Sequence, residues 1–414
     1  MYRAVHADRG GRILVTDHPA LAFDGARMVP FAHGIPLPPD ASVVGIEREA
    51  LASERSGRPR RLGGGRLSAA ALLPAGHLRA QLPAYLDATD RPELAPRPYA
   101  AVAADDGGGL VTSALQVDRD VTHDSGGYGR AEVAARVSEG LRANPGDRLV
   151  RQLARCAKEY GCRAAANAFF GRWECALPLA APANERPPLA LAPRRDGEAE
   201  PTEAAAFHPS TDEVARFAVA HLAAGGTVVS FGHACEGEPL LAAREVEDAI
   251  LRIRAATREG TIHLETNGAV PGSLRRVASA GLDSITVRLM SARAATYEAL
   301  HGPEGYRFPD VRASLRLAAE VGLDVSVLVP VLPGLTDRPD EVEALVALLG
   351  DVPPGGAILL RDLHADPYRA LALVPARGEG PVGVPAMVDR LRSELPHLRV
   401  AAFVRPLVKV PHVP

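Results

Sequence analysis

Residues 227–241 read TVVSFGHACEGEPLL, and the reading of this stretch decides the fold. Thr227 to Phe231 form a short, mostly apolar run ending at Gly232, the pattern of a strand buried on both faces. A polar turn follows, and the chain then enters LLAAREVEDAILRIRAATREG, residues 240–260, an amphipathic helical pattern. Buried strand, polar turn and helix together make one unit of a parallel β/α fold.

The unit recurs outward in both directions. Upstream, STDEVARFAVAHLAAG (210–225) is a helix with Ser210 or Thr211 as its N-cap. Downstream, TIHLETNG (261–268) is a strand, PGSLRRVASAG (271–281) a helix opening at Pro271, and DSITVRLM (283–290) a strand. DVRASLRLAAEVG, DVSVLVPVL, RPDEVEALVALLG, GAILLRDL, VPAMVDRLRSELP and LRVAAFV continue the alternation to residue 404. Units of roughly 25 to 35 residues point to parallel β/α architecture, with a barrel preferred to a two-sided sheet. In a barrel the functional loops follow the strand C-terminal ends. Here these are GHACEGEP, ETNGAVPG, LMSARAATY, LPGLTD and DLHADP, and they carry nearly all the unusual polar residues of this half.

These loops resemble those of the radical S-adenosylmethionine (SAM) superfamily. VVSFGHACEGEPLL is similar to its second strand and GGEP turn, with Gly237, Glu238 and Pro239 on the last three positions. HLETNG resembles the third strand end, ITVRLMSARAATYEALHG the fourth strand and its loop, and VLVPVLPGLTDRPDEVEALVALL the fifth strand and following helix. The resemblance spans about residues 205–370 in four ordered motifs, and residues 10–205 resemble more loosely the leading region of one bacterial branch. It implies a partial (β/α)6 TIM-like barrel and SAM as cofactor. Gly237, Glu238 and Pro239 would bind the SAM amino group, while Asn267 and Ser291 or Arg293 would contact ribose or carboxylate.

One element of the family pattern is replaced. The resemblance implies three cysteines, CxxxCxxC, after the first barrel strand, holding a [4Fe–4S] cluster. CALPLA (175–180) is the expected first strand, and Ala183, Pro187 and Ala190 stand at that spacing. None of the three is a metal ligand, so the usual cluster does not form there. The four cysteines of the chain, Cys156, Cys162, Cys175 and Cys235, are the candidates for a substitute set. Against this, Cys156 lies on an apolar helical face, where a free cysteine is ordinarily a small hydrophobe.

His263, Glu265 and Asn267 alternate on one strand and so share a face. If that face points inward, His263 and Glu265 are acid–base candidates at the barrel mouth. With His233, His364 and Asp366 they also make a His/carboxylate set of the kind zinc or iron(II) takes. The competing reading is a group of hydrogen-bonded polar residues in a wet barrel mouth.

Composition bounds the alternatives. The chain has 414 residues, 47% hydrophobic and 23% charged, with formal charge −3, which excludes broad disorder and bulk electrostatic binding of nucleic acid. Four cysteines do not make a disulfide scaffold. No long apolar span is present, and the N-terminal MYRAVHADRGGRILVTD lacks a signal-peptide core, so the expectation is a cytoplasmic protein with no membrane contact. Residues 1–130 are expected to form a β-rich module, with a short helix over LSAAALL; 131–170 a helical connector; and 171–414 the barrel. Residues 181–206, rich in Pro, Ala and Glu, read as a linker or long loop.

Three functions follow. The first is a degenerate member that binds SAM or another adenosyl ligand without the cluster. The second is an active radical SAM enzyme with a non-standard cysteine set. The third is a non-catalytic partner of a cluster-bearing paralogue. A small-molecule ligand is expected in the first two and a protein partner in the third.

Overall fold

A parallel sheet of seven strands organises the C-terminal half of the computed structural model. The structure describes residues 2–86, 92–120, 128–179, 181–189, 205–233, 236–374 and 379–407. In chain order the barrel strands are Glu174–Ala176, Val228–Phe231, Thr261–Thr266, Ser284–Arg288, Asp324–Val331, Ala357–Asp362 and Arg399–Ala401, each parallel to the next. The sheet is a partial barrel of the expected class, extended by the seventh strand.

Strand alternation sorts the side chains onto two surfaces. Val229, Phe231, Ile262, Leu264, Ile285, Val287, Val327 and Val329 join the main core with residues of the outer helices. Those helices are α4 (Thr211–Ala223), α5 (Ala243–Ala256), α6 (Pro271–Ser279), α7 (Ala294–His301), α8 (Phe308–Glu320), α9 (Pro339–Leu349) and α11 (Val384–Glu394), numbered after three helices that precede the barrel, while α10 (Pro367–Leu373) packs in a separate cluster with Phe23 and Leu82. The expected start of α4 is realised as a capping box: Ser210 accepts from the Glu213 amide and Glu213 reaches back to the Ser210 amide. The opposite face of the sheet has a small apolar floor of Val228, Leu328, Ala357, Leu359, Ala401 and Val404. Nearer the strand C-termini that face is polar.

The three preceding helices are α1 (Arg130–Ala143), α2 (Arg148–Glu159) and α3 (Arg163–Phe170), packed on Val137, Leu149, Leu153 and Ala165. Gly161 takes a left-handed φ of 62°, as a helix-ending glycine does. Cys162 then serves as the N-cap of α3, a break that the periodicity alone did not show.

Residues 3–116 build antiparallel sheets, the largest having eight strands. LSAAALL is not helical. Leu67–Leu72 is a strand paired with Ser42–Glu49 on one side and Tyr99–Ala104 on the other. Ala69 to Ala71 are buried between these neighbours, and that setting overrides alanine's helical preference.

The N-terminal sheets are seated against the barrel. Phe23 and Leu82 share a buried cluster with Leu300, Leu332, Leu335 and Leu363 from the barrel loops. Gly25 and Gly334 meet backbone to backbone: a Cβ on Gly334 would lie 2.4 Å from the Gly25 Cα. Arg79, fully buried, pairs with Asp362 at 3.7 Å and donates to the Leu363 carbonyl at 2.5 Å. No helix among the described residues is long and apolar enough to cross a membrane.

Candidate functional site

The polar half of the sheet's inner face begins with His263. It is 2% exposed, and burial holds its imidazole down to a pKa of about 4, so it is neutral at neutral pH. Its Nδ1 lies 2.8 Å from Ser284 Oγ, while its Nε2 has no hydrogen-bond partner among the described residues. On the neighbouring strands Ser230 donates to Glu174, and His233 Nε2 stands 3.6 Å from the same carboxylate. Although burial opposes its charge, Glu174 is held below its ordinary pKa by His233 and His263. Glu174 is a chemical group that the sequence reading missed; its signal was a lone carboxylate one residue before an apolar strand run.

Glu265 shares the inner face with His263, as the alternation implied, and sits 3.6 Å from Arg288 Nη1. Arg288, at the end of the fourth barrel strand, is the electrostatic centre of the mouth. It also faces Glu185 at 3.1 Å and Glu238 at 3.7 Å, and donates to the Gly232 carbonyl at 3.1 Å. These carboxylates raise its pKa against the pull of burial. Its signal in the sequence was a charged residue in register with Ser284 and Thr286 on the inward face.

The residues assigned to SAM all lie around this mouth, and their polar atoms are engaged within the protein. Glu238 accepts hydrogen bonds from the Leu240 amide, Thr266 Oγ1 and the Asn267 amide, so it braces the turn after the second strand. Burial nevertheless raises its pKa. Gly237 lies so close to the carbonyls of Ala181 and Pro182 that a Cβ would stand 2.1 and 2.3 Å from them. Pro239 is buried and opens a short 3-10 turn before α5. Asn267 donates through Nδ2 to Asn184 at 2.8 Å and accepts at Oδ1 from the Ala269 amide. Ser291 donates to Glu341, and Arg293 pairs with Asp340 at 2.6 Å and Glu341 at 3.3 Å. Ser291 and Arg293 therefore form a separate network with α9.

The cysteines are dispersed. Cys156 and Cys162 pack in the helical unit before the barrel. Cys175 is fully buried in the main core, where burial pushes its thiol well above the ordinary pKa. Cys235 lies outside the described residues, as does Ala190. Among the described residues no group of three His, Cys, Asp or Glu side chains is arranged to hold a metal ion. The candidate His/carboxylate set of His233, His263, Glu265, His364 and Asp366 is thus not gathered into such a group among the described residues. Asp366 caps α10 and lies 3.9 Å from Arg48 of the N-terminal sheets, while His364 on the same loop is solvent-exposed. Asp366 therefore serves the junction between the sheets and the barrel.

The loop after the first strand supplies the largest surprise. Residues 181–189 lie across the mouth, carrying Ala183 and Pro187 where two thiolates were implied. Backbone bonds fasten the loop on both sides. The Glu238 amide donates to the Pro182 carbonyl, the Arg186 amide to the Gly302 carbonyl, and the Glu304 amide to the Asn184 carbonyl. Between these bonds Glu185 turns inward onto Arg288, Asn267, His301 and Tyr306. Those partners hold its carboxyl down at about 2, against the effect of burial.

Residues 194–349 match the Radical SAM superfamily. Over that span the chain is similar to the radical SAM superfamily. Solved structures similar to this chain include a radical SAM methyltransferase from Sphaerobacter thermophilus, at 19% identity over 49% of this chain, with TM-score 0.33. The match spans 59% of that methyltransferase's length. The FeFe-hydrogenase maturase HydG from Carboxydothermus hydrogenoformans is 14% identical over 66% of this chain and 75% of its own, with TM-score 0.37. Methylornithine synthase is 12% identical over 66% and 76%, with TM-score 0.40. No curated protein matches the chain.

Proposed function

We propose that this protein is a degenerate radical SAM superfamily member that binds SAM or a related adenosyl ligand without the usual [4Fe–4S] cluster. One observation carries the reading: the loop in the place of the cluster-binding triad has Ala183 and Pro187 at two ligand positions and sends Glu185 into the mouth instead. Alanine and proline supply no ligand to iron, and of the three described thiols Cys175 lies in the main core, apart from Cys156 and Cys162 in the helical unit. These residues do not fit a cluster, and no radical step is assigned to this chain.

The ligand reading rests on the family span and on the polar strand ends. Glu238, Asn267 and Arg288 stand at the ends of adjacent barrel units, where a zwitterionic, hydroxyl-bearing ligand needs buried partners. Lower on the same face, neutral His263 has an Nε2 with no partner among the described residues and Glu265 offers a carboxylate, so the chemistry available is proton transfer or polar binding.

A second reading, a non-catalytic partner of a cluster-bearing paralogue, is favoured by a separate observation. Glu238, Asn267, Ser291 and Arg293 are all engaged in internal hydrogen bonds, as residues kept for structure would be.

Anaerobic purification with iron and sulfide analysis, followed by a SAM titration on the same sample, separates the readings. Absence of iron with saturable SAM binding is the expected result. About four irons and four sulfides per chain would overturn the cluster-less reading, and no iron with no SAM binding would leave the partner role.

A further inference from the structure

Glu185 is surrounded by donors whose identities are set by their other bonds. Met290 donates its amide to His301 Nε2 at 3.0 Å, so the neutral imidazole carries its hydrogen on Nδ1, 3.3 Å from Glu185 Oε2. The Asn267 Oδ1 accepts from the Ala269 amide, which orients the amide group and turns Nδ2 toward the loop, 2.8 Å from Asn184 Oδ1 and 3.3 Å from Glu185 Oε2. Tyr306 Oη lies 3.4 Å from the same oxygen, with the buried Tyr297 hydroxyl 3.2 Å behind it. Arg288 Nη2 donates to Oε1 at 3.1 Å.

Four donors from the third strand end, the fourth strand and the α7 region thus converge on one carboxylate. Asn267, His301 and Tyr306 are buried, at 0, 3 and 8% exposure. Leaving such a set without an acceptor costs more than any one of its bonds contributes. The other carboxylates near Arg288 cannot serve as the exchangeable partner. Glu238 is fixed by three hydrogen bonds at its turn, and Glu265 belongs to a strand. Among the described carboxylates near Arg288, Glu185 is the one carried by loop 181–189.

We infer that Asn267, Arg288, His301 and Tyr306 form a carboxylate receptor, that Glu185 fills it from within, and that a ligand enters the mouth by bringing a carboxylate that displaces Glu185. The last clause rests on the ligand-binding reading above; the receptor itself does not. Loop 181–189 is then both a strap across the mouth and a competitor for its ligand. Displacement breaks no covalent bond: one carboxylate replaces another on the same donors, and the loop's backbone bonds to Gly302 and Glu304 open with it.

The test removes the internal carboxylate and supplies one from solution. Purified Glu185→Ala protein is melted in sodium acetate, in sodium chloride of equal ionic strength, and in neutral acetamide. The expected result is a saturable Tm rise of about 3 °C in acetate alone, with no comparable response from the wild type. A folded Glu185→Ala protein that responds to acetate no more than to chloride would overturn the receptor. If that variant does not fold, wild-type hydrogen exchange decides instead. The Arg186 and Glu304 amides should be protected in the free protein, and rapid exchange at both would overturn the strap. For displacement, the same amides are followed with SAM and with decarboxylated SAM. Deprotection by SAM alone is expected, and equal effects from both would overturn carboxylate exchange. Acetate rescue without any SAM response would retain the receptor and reject SAM as its ligand, which separates this inference from the reading beneath it.

Discussion

Glu185 shows what a single side chain contributes when its partners are fixed beforehand. Its folded pKa of about 2 lies below the ordinary 4.5, so its contribution to stability is complete above about pH 4.5 and is lost as pH falls toward 2. Glu185→Gln cannot titrate, so its stability should vary less with pH over that window, as measured by urea unfolding at a series of pH values. His263 acts in the opposite chemical sense but in the same direction. Its pKa is depressed from 6.5 to about 4, so stability falls as pH drops through that interval, because the unfolded chain takes up the proton first. His263→Gln should flatten that part of the profile. Of these two residues the strand pattern exposed only His263, through its alternation with Glu265. Glu185 sat in a stretch of alanine and proline where composition suggested a linker.

Among the elements, the end of the second barrel strand is tightly constrained at Gly232. Gly232 has a φ of 84°, and a Cβ there would lie 1.9 Å from the Glu265 carbonyl oxygen. A side chain at this position would push apart two adjacent strand ends and displace the Gly232 carbonyl to which Arg288 donates. Gly232→Ala should therefore cost about 2–4 kcal/mol in urea unfolding and should disturb the mouth along with the fold. The β/α units themselves were legible because each carries its own periodicity: continuous apolar runs in the strands and 3.6-residue spacing in the helices. LSAAALL was misread for the same reason. Three alanines favour a helix locally, and only the strands on either side of Leu67–Leu72 make a strand the better burial.

At the scale of the whole molecule, the N-terminal sheets are anchored to the barrel by a buried pair. Arg79 is inaccessible to solvent, and Asp362 is pushed up to about 6 by burial despite the guanidinium beside it. Arg79→Ala would leave that carboxyl without its cation and the Leu363 carbonyl without its donor. The expected cost is about 3–5 kcal/mol, with earlier release of the N-terminal sheets in limited proteolysis. Unchanged proteolysis together with unchanged stability would show that the apolar contact around Phe23 and Leu82 suffices. The anchoring also accounts for Asp366. Its loop follows the sixth barrel strand, where a site was expected, but the docked sheets claim that side of the mouth.

The sequence by itself determined the alternation of strands and helices, the shared face of His263 and Glu265, and the absence of thiolates at Ala183 and Pro187. These follow from local sterics, side-chain periodicity and residue chemistry, all of which act over a few neighbouring positions. Only the tertiary structure decided that Glu185 meets Asn267, Arg288, His301 and Tyr306, which lie 82 to 121 positions away along the chain. Closing the barrel brings those strand ends and the α7 region under one loop, and no local pattern records which carboxylate the converging donors receive.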